Sequence, residues 1–129
     1  MRLNKITFIL ATFFSCWTLA CNTTNWHGEG RTLATCYDGT RDAVVSSTCI
    51  GKAKCWATEM LLKKAPIRLL ENSTGSEKNL GSAICIADGG SVIILAQASG
   101  DEAAFCEGAD HSVVDINSLA QHQSAKSKN

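Results

Sequence analysis

The residues best suited to chemistry sit in one short run. Asp110, His111 and Ser112 stand side by side in "ADHS", residues 109–112. Acid, histidine and serine are the members of a hydrolytic triad, in which the carboxylate orients the imidazole and the imidazole takes the hydroxyl proton. A triad needs the three groups to converge, whereas neighbours in an extended segment point to opposite faces. No G-x-S-x-G elbow accompanies them. A polar turn is therefore the default reading, and no catalytic residue is assigned. Asp88, Glu107, Asp110 and His111 offer ligands that could cup a hard cation. Solvated loop acids account for them as well, and neither a metal nor a cofactor is expected. His27 and His122 fall near the ends of the chain and read as solvent-exposed.

Sulfur is the other candidate chemistry. Cys16 lies in an apolar N-terminal run, and Cys21, Cys36, Cys49, Cys55, Cys85 and Cys106 follow it. No C-x-x-C occurs, so a zinc site has little support. Cys55, in "KAKCW", sits beside Lys54 near the expected start of a helix, a setting that lowers a thiol pKa and makes it a possible free, reactive thiol. A disulfide is the commoner fate of such a residue in an exported chain.

Export is the reading of residues 1–20. Arg2 and Lys5 precede a charge-free run from Ile6 to Ala20, shorter than the roughly 20 residues that span a bilayer as a helix. A basic start, an apolar stretch and small residues at Thr18 and Ala20 are the parts of a signal peptide. Cleavage after Ala20 makes Cys21 the first mature residue. "TLAC" resembles the lipobox of bacterial lipoproteins, which makes Cys21 a candidate for lipidation; ordinary cleavage leaving a thiol is the alternative. The remaining chain carries 10 basic and 12 acidic residues, a formal charge of −2. That balance provides no basic field for nucleic acid and no polybasic membrane patch, so membrane contact would come only through a lipid at Cys21. Trp26, Tyr37, Trp56 and Phe105 are the aromatics left, few for a glycan-stacking face.

The elements that must position these residues follow from pattern. Residues 21–30 are polar and Gly-containing and read as a tether. "RTLATCY" (31–37) and "DAVVSST" (42–48) are β-prone around the turn signal "DGTR". The spacing of Ala53, Trp56, Ala57, Met60 and Leu61 predicts a helix over 52–64 with Trp56 as the central core aromatic and Cys55 on the opposite face. Pro66 stops it, and "PIRLL" (66–70) reads as a short strand. Residues 71–79 form a polar linker. "LGSAICIADGG" reads as a short helix closed by Gly89 or Gly90, "SVIILAQ" and "EAAFC" as a hairpin, and "SVV" as a strand. Asp115 caps a last short helix to about His122, with 123–129 a disordered tail. The fold class is α+β, a small disulfide-stapled domain of short antiparallel strands with one clear and two short helices. Cysteine, glycine turn, β-branched strand, cysteine and helix recur in 31–70 and 80–122, which suggests two tandem hairpin-plus-helix units with one disulfide stapling each small sheet.

"AICIADGGSVIILAQASGDEAAFCEGADHSVVD" (83–115) resembles a small Cys-pair domain of bacterial envelope lipoproteins, domain-of-unknown-function family 333, some members of which are labelled haemolysins. The residues that carry the likeness are Cys85, Gly89, Gly90, Val92, Gly100, Cys106, Asp110 and Ser112. The resemblance implies an envelope protein and a Cys85–Cys106 disulfide; it implies no chemistry. Six thiols allow about 15 pairings. Under the two-unit reading Cys36 pairs with Cys49 and Cys85 with Cys106, so that Cys55 either bonds Cys21 or stays free. The function expected is a non-enzymatic binding or structural module, exported to the periplasm, outer membrane or medium, with a protein, envelope or glycan partner. The alternative is a small secreted effector, inhibitor or lytic factor. "NTT" (22–24) and "NST" (72–74) are glycosylation sequons that matter only in a eukaryotic host.

Overall fold

The computed structural model describes residues 21–52, 54–63 and 77–127. The expected signal segment, the strand at 66–70 and residues 71–76 of the expected linker lie outside the described residues. In chain order the elements are β1 (Thr23–Gly28), β2 (Arg31–Asp38), β3 (Ala43–Ser46), a 3-10 turn (Ser47–Cys49), α1 (Trp56–Leu62), α2 (Glu77–Ala87), β4 (Ser91–Ala96), β5 (Glu102–Glu107), β6 (Val113–Asp115) and α3 (Ile116–Ser127). Among the described residues, antiparallel strands, three helices and three disulfides give the α+β class expected. The two halves are not separate units, however. Their strands join in one closed barrel in the order β1-β2-β3-β6-β5-β4.

Strand alternation sorts the apolar residues into two cores. Trp26, Ile93, Leu95, Phe105 and Val113 fill the barrel, with Leu33, Val44 and Ala103 beside them. The Trp26 and Phe105 rings meet edge to face, 5.0 Å between centroids. Trp26 Nε1 donates to Thr35 Oγ1 at 2.8 Å, which satisfies the one polar atom of the buried indole. The next residues along, Val45, Cys106 and Val114, face outward and are covered by Met60, Leu61, Ile84 and Leu119 of the helices. "AVVS" and "SVVD" thus each send one valine inward and one outward.

Each half contributes a three-stranded meander, and two narrow seams join them. β3 meets β6 at Val45↔Val114, and β1 meets β4 at His27↔Ala96. Ser46 Oγ accepts the Val113 amide at 2.7 Å, reinforcing the first seam. At the second, a Cβ on Gly28 would lie 2.7 Å from Leu95 Cδ2 and 3.1 Å from the Ile94 carbonyl oxygen, so a larger residue there would require Leu95 to shift. Within the meanders Cys36 stands opposite Val45 and Cys106 opposite Val114. The echo in the sequence therefore matches Cys36 to Cys106, not Cys36 to Cys85. Asp42 (φ 50°) and His111 (φ 65°) turn the chain at the corresponding place in each meander.

Several local expectations change. Residues 23–28 of the expected tether are strand β1, because Trp26 is buried in the barrel and Cys21 is bonded to β2. The helix expected from 52 begins at Trp56, since Cys55 is extended (φ −151°) and tied back to Cys49. Ala57, Met60 and Leu61 are its buried face, and Cys55 is buried rather than turned outward. Trp56 is only half-buried and lies over Gly108 and Gly90; the central aromatics are Trp26 and Phe105. α3 runs beyond His122 to Ser127, so residues 123–127 of the expected tail are helical, and the Gln123 amide donates to Lys63 O.

Candidate functional site

The loop that carries Asp110, His111 and Ser112 leaves β5 and enters β6. Its oxygens are spent on backbone. Asp110 Oδ1 accepts the Ser112 amide at 3.0 Å and the Ser112 hydroxyl at 2.6 Å. Asp110 Oδ2 accepts the Trp56 amide at 2.9 Å, and Ser112 Oγ accepts the Ala57 amide at 3.0 Å. Trp56 and Ala57 open α1, whose first N–H groups have no partner within the helix. The "ADHS" run is therefore an N-cap supplied from more than 50 residues away. Burial alone would raise the Asp110 pKa, but the bonds from Ser112 and the Trp56 amide together hold it below the usual carboxylate value.

His111 does not complete a triad. The Ser112 hydroxyl donates to Asp110, while the His111 side chain is 79% exposed with its Nδ1 3.7 Å from Glu107 Oε2. Glu107 in turn holds Arg31, Nη1 to Oε2 2.5 Å, and Arg31 Nη2 lies 3.8 Å from Glu29. Oε2 is buried without a well-aligned hydrogen bond, so the ion pair is its compensation. The Arg31 guanidinium holds the Glu107 carboxyl below its ordinary pKa against the opposing effect of burial. This pair escaped the sequence reading. Its signal was parity: Arg31 shares the inward register of Leu33 and Thr35, and Glu107 that of Phe105 and Ala103. Two opposite charges at inward positions of a barrel are expected to find one another.

Asp88 is not joined to this group, and among the described residues no set of three His, Cys, Asp or Glu is placed to hold a metal. A second acid turn mirrors the first. Asp38 Oδ1 accepts the Thr40 amide and hydroxyl, and Oδ2 pairs with Arg41 at 2.6 Å. Burial raises its pKa, yet Thr40 and Arg41 bring it down overall. The Tyr37 hydroxyl donates to Asp42, which raises the phenol pKa. His27 is exposed as expected; His122 is half-buried, its Nε2 3.2 Å from Asp42 O.

The sulfur assignments at Cys21, Cys36, Cys49 and Cys55 are revised. The bonds are Cys21–Cys36, Cys49–Cys55 and Cys85–Cys106, with Cα separations of 5.9, 5.6 and 5.6 Å. Cys36 and Cys49 are not partners: Cys36 lies on β2 facing the chain just before β1, and Cys49 is drawn to the base of α1. Cys55 is neither free nor bonded to Cys21. Cys21 cannot carry a thioether lipid here, because a sulfur in a disulfide has no valence left for one. Trp56 covers the Cys85–Cys106 bond, since a Cβ on Gly90 would lie 2.7 Å from both its ring and Cys106 Sγ.

The described surface also has a recess. Residues of β4 and β5, the outward-facing Ile94, Glu102 and Ala104 with Ala103 between them, and Ile116 and Asn117 of the first turn of α3 line a partly open cleft of about 360 Å³. Ile94 is 63% exposed at its edge. No family model, curated protein or solved structure matches the chain.

Proposed function

We propose that the protein is a non-enzymatic binding or structural module of the bacterial cell envelope, working outside the cytoplasm. The observation that carries this reading is that every cysteine of the described residues is in a disulfide. Such bonds persist in oxidising compartments and are rare in the cytosol. The leader-like residues 1–20 and the resemblance to envelope lipoproteins agree with it. Asp110 and Ser112, the best candidates for catalysis, act as a cap instead. The Cys21–Cys36 bond favours a form without a lipid anchor over a lipoprotein. Among the described residues no helix is long and apolar enough to cross a membrane.

The test is the intact mass of the protein recovered from its own host, fraction by fraction. A chain starting at Cys21, lacking six thiol hydrogens and carrying no acyl group, found outside the cytoplasm, supports the proposal. A full-length reduced chain in the cytoplasm would overturn it. Lysis of membranes or inhibition of a protease by the pure protein would replace it with the effector reading.

A further inference from the structure

We infer that the cleft between β4, β5 and the start of α3 seats a basic amphipathic segment of a partner protein. An aliphatic side chain of that segment rests on Ile94, Ala104 and Ile116, and a neighbouring lysine or arginine meets Glu102. The inference rests on the binding-module reading above and gives it a site and a partner chemistry.

A single exposed apolar residue needs no explanation. Ile94 is more than that. It stands on the outer face of β4 with Val92, also exposed, two residues away, and it borders a recess. The recess exists because the residue opposite Ile94 on β5 is Ala104, whose short side chain leaves space that Ile116 floors. The cleft is partly open to solvent, so a free small molecule would be less fully enclosed than in a typical ligand pocket. Its volume suits one or two side chains of an extended segment lying across it. An aliphatic anchor in a pocket with polar groups at the edge is the usual form of an interaction hot spot.

Charge selects the occupant. Glu102 lines the cleft, is exposed, and joins no ion pair among the described residues. Asp101 precedes it. From Ser91 to Glu107 there is no lysine or arginine, nor is there one from Ile116 to His122. The edge of the cleft at Asp101 and Glu102 is therefore acidic. A second copy of the chain would set acid against acid, and anionic lipid or nucleic acid would be repelled. A basic protein segment has both the apolar and the charged complement.

The experiment is an amide chemical-shift titration of the oxidised, isotopically labelled protein with acetyl-Lys-Leu-Lys-Leu-Lys-amide, and in parallel with its Glu-Leu-Glu-Leu-Glu counterpart. The basic peptide should move Ile94, Glu102, Ala104 and Asn117 saturably. Its affinity should fall about fivefold or more between roughly 50 and 300 mM salt, because rim charges at the surface are screened. Glu102→Gln should weaken binding by a similar factor, and Ile94→Ser should abolish it. Both positions are exposed, so the melting temperature of each variant should stay near that of the parent, which separates lost binding from lost folding. Equal shifts with the acidic peptide, shifts centred on another face, or none at all would overturn the cleft assignment. None of those results bears on mass or compartment, so the envelope reading would stand or fall separately.

Discussion

Asp110 receives three hydrogen bonds, from the Ser112 amide, the Ser112 hydroxyl and the Trp56 amide. Asp110→Ala should cost about 1–2 kcal/mol, the range for loss of an N-cap, read as a lower midpoint in urea with little change in slope. The same carboxylate ties stability to pH. Asp38, Glu107 and Asp110 all have folded pKa values below their ordinary ones. A group depressed in this way stabilises the fold fully above its unfolded pKa and ceases to do so as pH falls through its folded pKa. The melting temperature should therefore be level from neutral down to about pH 5 and decline below it. Glu107→Gln and Asp110→Asn should each make that decline shallower; an unchanged acid limb in both would mean the ion pair and the cap do not titrate with unfolding. Inside the barrel Trp26 is the residue to test. Trp26→Ala should cost about 3–5 kcal/mol, as large aromatic truncations in cores do, and Trp26→Phe should show the smaller loss that comes from leaving Thr35 without its donor.

Helices and strands here meet where side chains are missing. A Cβ on Gly81 of α2 would lie 2.3 Å from the Ile116 carbonyl oxygen at the start of α3. Gly81→Ala must push the two helices apart, at about 1–3 kcal/mol, although alanine is the better helix former. Thermal unfolding checks the sign: stabilisation would show that the contact yields. Gly108 stands in the same relation to the Trp56 ring. These approaches explain what the sequence could and could not say. Strands β2 to β6 and the helix ending near Gly89 were legible because alternation, turn residues and a C-terminal glycine are local signals. β1 was not, because "TTNWHG" has one large apolar residue and its burial depends on β2 and β5. The start of α1 was missed for a related reason: periodicity runs back to Lys52, but the bond to Cys49 and the cap from Asp110 decide where the helix opens. The triad-like run was legible as residues and illegible as a role, since its partners lie in the other half of the chain.

At the scale of the whole molecule the disulfides close segments of unequal length. Separations of 15, 6 and 21 residues give chain-entropy contributions of roughly 3, 2 and 3 kcal/mol for Cys21–Cys36, Cys49–Cys55 and Cys85–Cys106. Replacing both cysteines of a pair by alanine should thus be mildest at Cys49 and Cys55, with the three double variants compared by urea denaturation; the largest loss there would mean that this bond acts through the position of α1. The pairing of Cys21, Cys36, Cys49 and Cys55 was the least legible feature of the chain, because the sheet, not the order of cysteines, brings Cys36 to Cys21. Both seams of the barrel, and the cap on α1, join residues from opposite halves. That arrangement governs timing. A chain emerging from its N-terminus can form the β1–β2–β3 meander, but the first turn of α1 waits for Asp110 and the barrel waits for β4 to β6. The nascent protein therefore remains open until Val113–Asp115 has appeared, which is the state in which a polypeptide can still be threaded through a narrow channel and closed on the far side.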